Sequence, residues 1–316
     1  MTDPGAGRSS LDRIKAQATL GAYQAGGLLA RVMPTFLGHR AVSAAGMGAS
    51  LMSRERRVIV ERNLRRIYGR DLSRVELAGK VAKTFESYGR YYYDSFRLPS
   101  LTRAQVEAGW SAEGIEHLDA AMADDQVGPV LALPHLGGWE WAAAWITRSK
   151  GWPLAAVVEA LEPPEVFEWF LSFRESLGMN IIGLGPSAAA EVATAAANQE
   201  VVCLLCDRDI GNNGVEVEFF GERTTLPAGP AVMAIRVGCR ILPAAVYFDG
   251  DGVKGVVRPP LDTSRQGTVR EDVTRITQEL ATELEGLIRR APEQWHLMQP
   301  NWPSDYEALG KVMPGR

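Results

Sequence analysis

His135 and Glu140 frame the stretch Leu131-Ala132-Leu133-Pro134-His135-Leu136-Gly137-Gly138-Trp139-Glu140. An imidazole exchanges a proton near neutral pH, and a carboxylate on the next helical turn can orient or stabilise it. The pair therefore suits general base catalysis on a hydroxyl. The same residue types also suit a core or capping histidine with an acid favoured at a helix N-terminus. Taken alone, they do not separate the two readings. Two further carboxylates follow apolar runs in the same manner: Glu159 after Leu154–Val158, and Asp207 after Val201–Cys206.

These residues need elements to position them. Val130–Leu133 reads as a short buried strand. Pro134 ends it, having no N–H for a sheet ladder. Gly137 and Gly138 allow a sharp turn, and a helix begins at Trp139. Beyond it lie a strand at 154–158, a helix from Glu165 to Leu177 stopped at Gly178, and a strand at 180–184. A helix from Ser187 through Asn198 and a strand at 201–206 follow. This alternation predicts an α/β fold with a mostly parallel central sheet and helices on both faces. It brings His135, Glu159 and Asp207 to one sheet edge, where such folds place ligands.

The rest of the chain is read around that core. Residues 1–10 are expected to be unstructured. Helices follow over 11–31, 37–53 and 54–68, the last carrying Arg54, Arg56, Arg57, Arg62, Arg65 and Arg66, with Arg70 just beyond. They either pack on the core or face a membrane, with apolar sides in lipid and arginines near anionic head groups. A helix over 75–98 bears a tyrosine cluster at 88 and 91–93, suited to packing or to a substrate wall. A weak strand is expected over 106–111, then a helix over 115–123. On the other side of the core come a strand at 215–220, a helix ending at Gly238, a hairpin at 240–257, a helix at 268–290, and an irregular aromatic tail at 292–302. No repeat or linker divides the chain. One domain is expected over 1–316, with membrane-associating helices at 11–70 and a catalytic core at 106–302.

Composition narrows the function. A net charge of −4 gives no drive toward nucleic acid. Three cysteines offer no disulfide framework, and Cys203 and Cys206 sit inside an apolar run that a buried strand explains. The four histidines do not pair at metal-ligand spacing, so no metal is expected. There is no G-x-S-x-G, no phosphate-binding lysine loop, no full dinucleotide fingerprint and no H-E-x-x-H. No secretory leader and no uninterrupted membrane span is read, so the chain is expected in the cytoplasm. What remains is a base, carboxylates and arginines.

Five segments share a further resemblance: Leu-Pro-His-Leu-Gly-Gly-Trp-Glu at 133–140, Phe-Arg-Glu-Ser-Leu-Gly at 173–178, Val-Val-Cys-Leu-Leu-Cys-Asp-Arg-Asp-Ile at 201–210, Gly-Val-Glu-Val-Glu-Phe-Phe-Gly-Glu at 214–222, and Trp-His-Leu-Met-Gln-Pro-Asn-Trp at 295–302. In this order they resemble the lysophospholipid-type acyltransferase superfamily. Within it, they are most similar to the actinobacterial phosphatidylinositol mannoside acyltransferases, relatives of the lipid A lauroyl and myristoyl acyltransferases. The resemblance runs from about residue 10 to 302 and implies an acyl-CoA-dependent O-acyltransferase. Its co-substrate would be a long-chain donor such as palmitoyl-CoA, with no resident cofactor. Its acceptor would be the 6-hydroxyl of a mannose of phosphatidylinositol mannosides. It would work as a peripheral protein on the cytoplasmic face of the plasma membrane, at an anionic surface, and a monomer is expected.

By motif, the resemblance makes His135 the base, with Asp207 and Glu140 as its acidic partners. Asp207 falls where this branch usually has glutamate, and Glu140 where it usually has aspartate, so which one orients His135 stays open. Glu159, Arg174 and His296 match positions lining a polar substrate pocket. Arg208 is a further phosphate or pantetheine contact. An acyltransferase for another glycolipid or lysophospholipid, or a non-catalytic lipid-binding relative, are the alternatives.

Overall fold

Short apolar runs closed by Gly, Pro or a polar residue build the sheet that carries the site. A computed structural model of the chain describes residues 10–69, 72–124, 126–211 and 213–313. Residues 1–9, expected to be unstructured, and Arg70 of the arginine cluster lie outside these. The central strands are β1 (Trp110–Glu113), β2 (Val130–Leu133), β3 (Leu154–Val158), β4 (Met179–Gly183) and β5 (Val201–Leu205). A separate hairpin is made by β6 (Val215–Phe219) and β7 (Glu222–Leu226), and β8 (Ile241–Asp249) and β9 (Gly252–Val257) return to the sheet.

The seven-stranded sheet has the order β1-β9-β8-β2-β5-β3-β4. All its pairings are parallel except β8 with β9, the hairpin expected from the Asp249–Gly252 turn. β2 lies between β5 and β8, buried along its whole length, which accounts for its unbroken apolar run.

Helices cover both faces. They are α1 (Ser10–Val32), α2 (Thr35–Met52), α3 (Arg54–Tyr68), α4 (Arg74–Arg97), α5 (Arg103–Ala108), α6 (Ile115–Met122), α7 (Trp139–Trp145), α8 (Pro164–Glu175), α9 (Ala188–Ala197), α10 (Gly229–Val237), α11 (Val269–Arg289) and α12 (Pro303–Ala308). Alternate residues of β2 face opposite layers. Leu131 and Leu133 pack with Trp139, Ala143 and Phe170 of α7 and α8. Ala132 joins Ala234, Leu280 and Leu284 of α10 and α11, while Val130 joins Val192 and Ala196 of α9.

One expectation is corrected. The weak strand over 106–111 is a helix, α5, followed by β1 starting at Trp110. The Thr102–Gln105 capping box starts that helix: each side chain takes the other's backbone N–H. The strand expected over 215–220 is present as β6 and pairs with β7 in a separate two-stranded sheet.

The N-terminal helices are present. Leu28, Leu29 and Val32 on α1, and Phe36, Leu37, Met47 and Met52 on α2, are exposed. Among the described residues no helix is long and apolar enough to cross a membrane. Part of the arginine cluster is turned inward. Arg62 Nε and Arg66 Nη2 lie 2.6 and 2.7 Å from Asp305 Oδ1, and Arg66 also reaches Glu222 at 2.9 Å. The Arg66 guanidinium covers the Trp302 ring at 3.9 Å. Asp305 is fully buried and bonds both arginines, of which Arg66 would keep Glu222 and Arg62 would lose its carboxylate: Asp305→Ala is expected to destabilise the fold by about 3 kcal/mol. A urea unfolding midpoint shifted to lower concentration at unchanged slope would report this. Arg54, Arg56 and Arg65 are exposed.

Candidate active site

Strand order creates the site. Because β5 runs parallel beside β2 with Leu133 opposite Leu205, the two chain ends that leave the sheet are neighbours. One delivers His135, the other Asp207. His135 Nδ1 and Asp207 Oδ1 are 2.6 Å apart, and the His135 backbone N–H donates to Asp207 Oδ2 at 3.0 Å. Asp207 has no solvent exposure, whereas the His135 side chain is 32% exposed. The carboxylate is thus the fixed member and the imidazole the accessible one.

The aromatic tail supplies the rest of the frame. Trp295 Nε1–H donates to Asp207 Oδ2 at 2.7 Å, and Asn301 Nδ2 donates to the Asp207 carbonyl at 3.0 Å. Burial alone would push the Asp207 carboxyl up. The His135 ring beside it, and hydrogen bonds from His135 and Trp295, outweigh this and hold it below its usual value. With Asp207 ionised, Nδ1 carries the proton and Nε2 is left as the acceptor facing outward.

The tail also runs along the His135 turn. Gly137 N–H donates to the Gln294 carbonyl at 3.0 Å, and His296 N–H donates to the His135 carbonyl at 2.7 Å. Gly137 has a positive φ of 60°, and a Cβ there would overlap the Val246 carbonyl. Only glycine fits this turn.

Glu140 does not touch His135. It is buried on the first turn of α7, where Oε1 accepts from Tyr91 Oη at 2.7 Å and from Arg174 Nη2 at 3.1 Å. Ser95 Oγ donates to Oε2 at 3.4 Å. Of the two acidic partners expected for His135, geometry couples Asp207 to it, at a distance that the shorter side chain closes fully. Burial works against the Arg174 charge, but Glu140 and Tyr91 beside it more than compensate. Arg174 Nε is buried with no partner among the described residues.

His296 is buried against the rings of Tyr88 and Tyr91 and bonds Ser87 Oγ through Nε2 at 2.9 Å. Burial, and the His135 ring nearby, push its pKa down to about 3. It is therefore expected to stay neutral, with an NMR ring signal that does not titrate between about pH 5 and 8. In the unfolded chain it binds a proton at about pH 6.5. Its contribution to stability is complete above that value and declines as pH falls toward its folded pKa.

Glu159 is partly exposed and leaves the same sheet edge as His135 and Asp207, because β3 runs parallel beside β5, and there it pairs with Arg208 at 3.2 Å. Sequence reasoning missed Trp295 and Asn301 as supports of Asp207, and Tyr91 and Ser95 as partners of Glu140. Their only signals were the crowding of aromatics in the tail and in α4. Among the described residues, no group of three His, Cys, Asp or Glu is arranged to hold a metal ion.

The chain is similar to known proteins along most of its length. Residues 8–304 match the family model of the bacterial lipid A biosynthesis acyltransferases. A phosphatidylinositol mannoside acyltransferase of Mycolicibacterium smegmatis is 37% identical over 303 residues, covering 92% of this chain and 94% of the relative. One of Mycobacterium tuberculosis is 36% identical over 304 residues, covering 94% of this chain and 92% of the relative. With a match that begins before α1 and ends within α12, the chain belongs to the bacterial lipid A biosynthesis acyltransferase family.

Proposed function

We propose that this protein transfers a long acyl chain from acyl-CoA to the 6-hydroxyl of a mannose of phosphatidylinositol mannosides, with His135 as general base. The observation that carries the reading is the 2.6 Å contact of His135 Nδ1 with the fully buried Asp207 carboxylate. Relatives named for this activity, similar along more than nine-tenths of the chain, support the acceptor.

In this reading His135 Nε2 takes the proton of the mannose hydroxyl. The oxygen attacks the thioester carbonyl, and the C–S bond breaks as the tetrahedral intermediate collapses. Coenzyme A leaves as the thiolate and takes up the proton held by His135. Asp207 fixes the tautomer and stabilises the imidazolium. The Gly137 N–H is already spent on Gln294, so the developing oxyanion falls to the Gly138 N–H or to Arg174, whose Nε has no partner among the described residues. Glu140, buried and held by Arg174 and Tyr91, is assigned to the acceptor side with Glu159, Arg208 and His296. No resident cofactor takes part.

The exposed apolar residues of α1 and α2, with Arg54, Arg56 and Arg65, support docking of a monomer to the anionic cytoplasmic face of the plasma membrane. The test is thiol release from palmitoyl-CoA by the purified protein on anionic vesicles, with and without phosphatidylinositol mannoside. Release that depends on the mannoside is expected. Release that ignores the mannoside would point to hydrolysis or another acceptor, and would overturn the assignment.

A further inference from the structure

The buried indoles of Trp141 and Trp302 donate their N–H groups to backbone carbonyls, those of Val106 and Phe219. Trp295 donates instead to a charged side chain, Asp207 Oδ2, at 2.7 Å. Its ring is 3% exposed and packs against Phe219, Phe220 and Trp302, with centroids 6.2, 5.6 and 6.4 Å away. Its main chain lies opposite Leu136 in an antiparallel bridge. One residue of the tail therefore backs the His135 turn with its main chain and grips Asp207 with its side chain.

The two carboxylate oxygens are served differently. Oδ2 accepts from the Trp295 indole and from the His135 backbone N–H at 3.0 Å, while Oδ1 accepts from His135 Nδ1 at 2.6 Å. Donors from two separate segments thus fix Oδ2, and fixing one oxygen aims the other. Each N–H on a carboxylate also takes up part of its charge. Of the titratable groups packed beside the pair, His296 is neutral, and burial pushes the Cys206 thiol up. Arg208 and Asp209, next in sequence, are engaged with Glu159 and the Gly214 N–H.

Resting on the reading that His135 is the base of acyl transfer, we propose that Trp295 is a positioning residue of this reaction: by holding Oδ2 it aims Oδ1 at Nδ1 and limits how strongly Asp207 favours the imidazolium. Without the indole N–H, Oδ2 keeps one donor. The carboxylate then tilts, and more of its charge faces the ring. The first effect lowers turnover. The second moves the acid limb of the rate profile to higher pH, because the base is lost to protonation sooner.

The test follows thiol release from palmitoyl-CoA between about pH 5 and 9, where a general base titrates, on vesicles with and without phosphatidylinositol mannoside. Two variants are compared. Trp295→Phe removes the donor and part of the ring. Benzothienylalanine at position 295 keeps the bicyclic shape and puts sulfur in place of the N–H. Both are expected to move the acid limb of kcat/KM up by about one unit, the scale of one lost hydrogen bond to a charged group. Both are also expected to lower kcat by about tenfold through misalignment, with KM for palmitoyl-CoA unchanged. An acid limb that stays in place with benzothienylalanine overturns the proposal, since the ring then acts by packing alone. Should neither variant fold, the indole serves stability and the proposal is overturned as well. Absence of mannoside-dependent release by the unaltered protein overturns the underlying reading instead, and this proposal with it.

Discussion

His135→Ala is expected to lower acyl transfer by about 10²–10⁴-fold, the range general base catalysis supplies. The circular dichroism spectrum should stay that of the unaltered protein. The His135 ring is one third exposed and makes one side-chain contact that matters, with Asp207. Its backbone N–H, which also donates to Asp207, survives the substitution, as does the Trp295 donor. The buried carboxylate keeps two of its three partners, so the loss falls on chemistry. Initial rates of thiol release at saturating acyl-CoA would measure it. Turnover near that of the unaltered protein would remove His135 from the mechanism.

Asp207→Asn is expected to be nearly as damaging to turnover, by about 10²–10⁴-fold, and to cost stability as well. An amide offers one acceptor oxygen where three donors now converge: the His135 ring, the His135 backbone and Trp295. If the oxygen serves Oδ2's two donors, the amide NH2 faces Nδ1 and drives the proton to Nε2, the wrong nitrogen for a base. In the other orientation NH2 meets two buried N–H groups. Leaving a buried donor unpaired costs about 1–3 kcal/mol.

The pH dependence follows from the same contacts. The folded Asp207 carboxyl is held below its usual value. Its stabilising contribution is therefore present above about pH 3.9, the unfolded value, and is lost as pH falls through the folded one. The unaltered protein should lose this component on acidification, and Asp207→Asn should lack it. Unfolding midpoints for both proteins across that range would show it.

Much of this site can be read before any coordinates. The apolar runs at 130–133 and 201–205 are buried on both faces of the sheet and are bounded by Gly128-Pro129, Pro134 and Asp207, so their ends carry strong signals. That His135 and Asp207 belong to one sheet edge follows from strand–helix alternation. That they touch does not, because β2 and β5 are neighbours only through the strand order, which two intervening strands leave undetermined. Glu140 illustrates the limit in the other direction. Its closeness to His135 in sequence suggested contact, yet α7 points it toward Tyr91 and Arg174 on two other helices. Arg174 has Glu175 beside it and Glu168 nearby in sequence, but its partner is 34 residues away.

The failures have local causes too. Val106 is the one buried residue of α5, too little to give a helical period, and the capping box that starts the helix is polar. β7 reads Glu-Arg-Thr-Thr-Leu, a pattern half exposed and easily taken for a loop. The tail at 295–302 has no period at all. Its order comes from what it braces: the Asp207 carboxylate through Trp295, and the His135 turn through Gln294 and His296.

The central claim is that acyl chains go to a mannose hydroxyl activated by His135. The most direct measurement is the position of the acyl group in the product. Phosphatidylinositol mannoside, incubated with the protein and carbon-labelled palmitoyl-CoA, would be analysed by NMR for the ester carbonyl and its coupled sugar protons. The account predicts one ester, on the 6-hydroxyl of a mannose, absent with His135→Ala. Free palmitate without ester, or an ester formed equally well by His135→Ala, would contradict it.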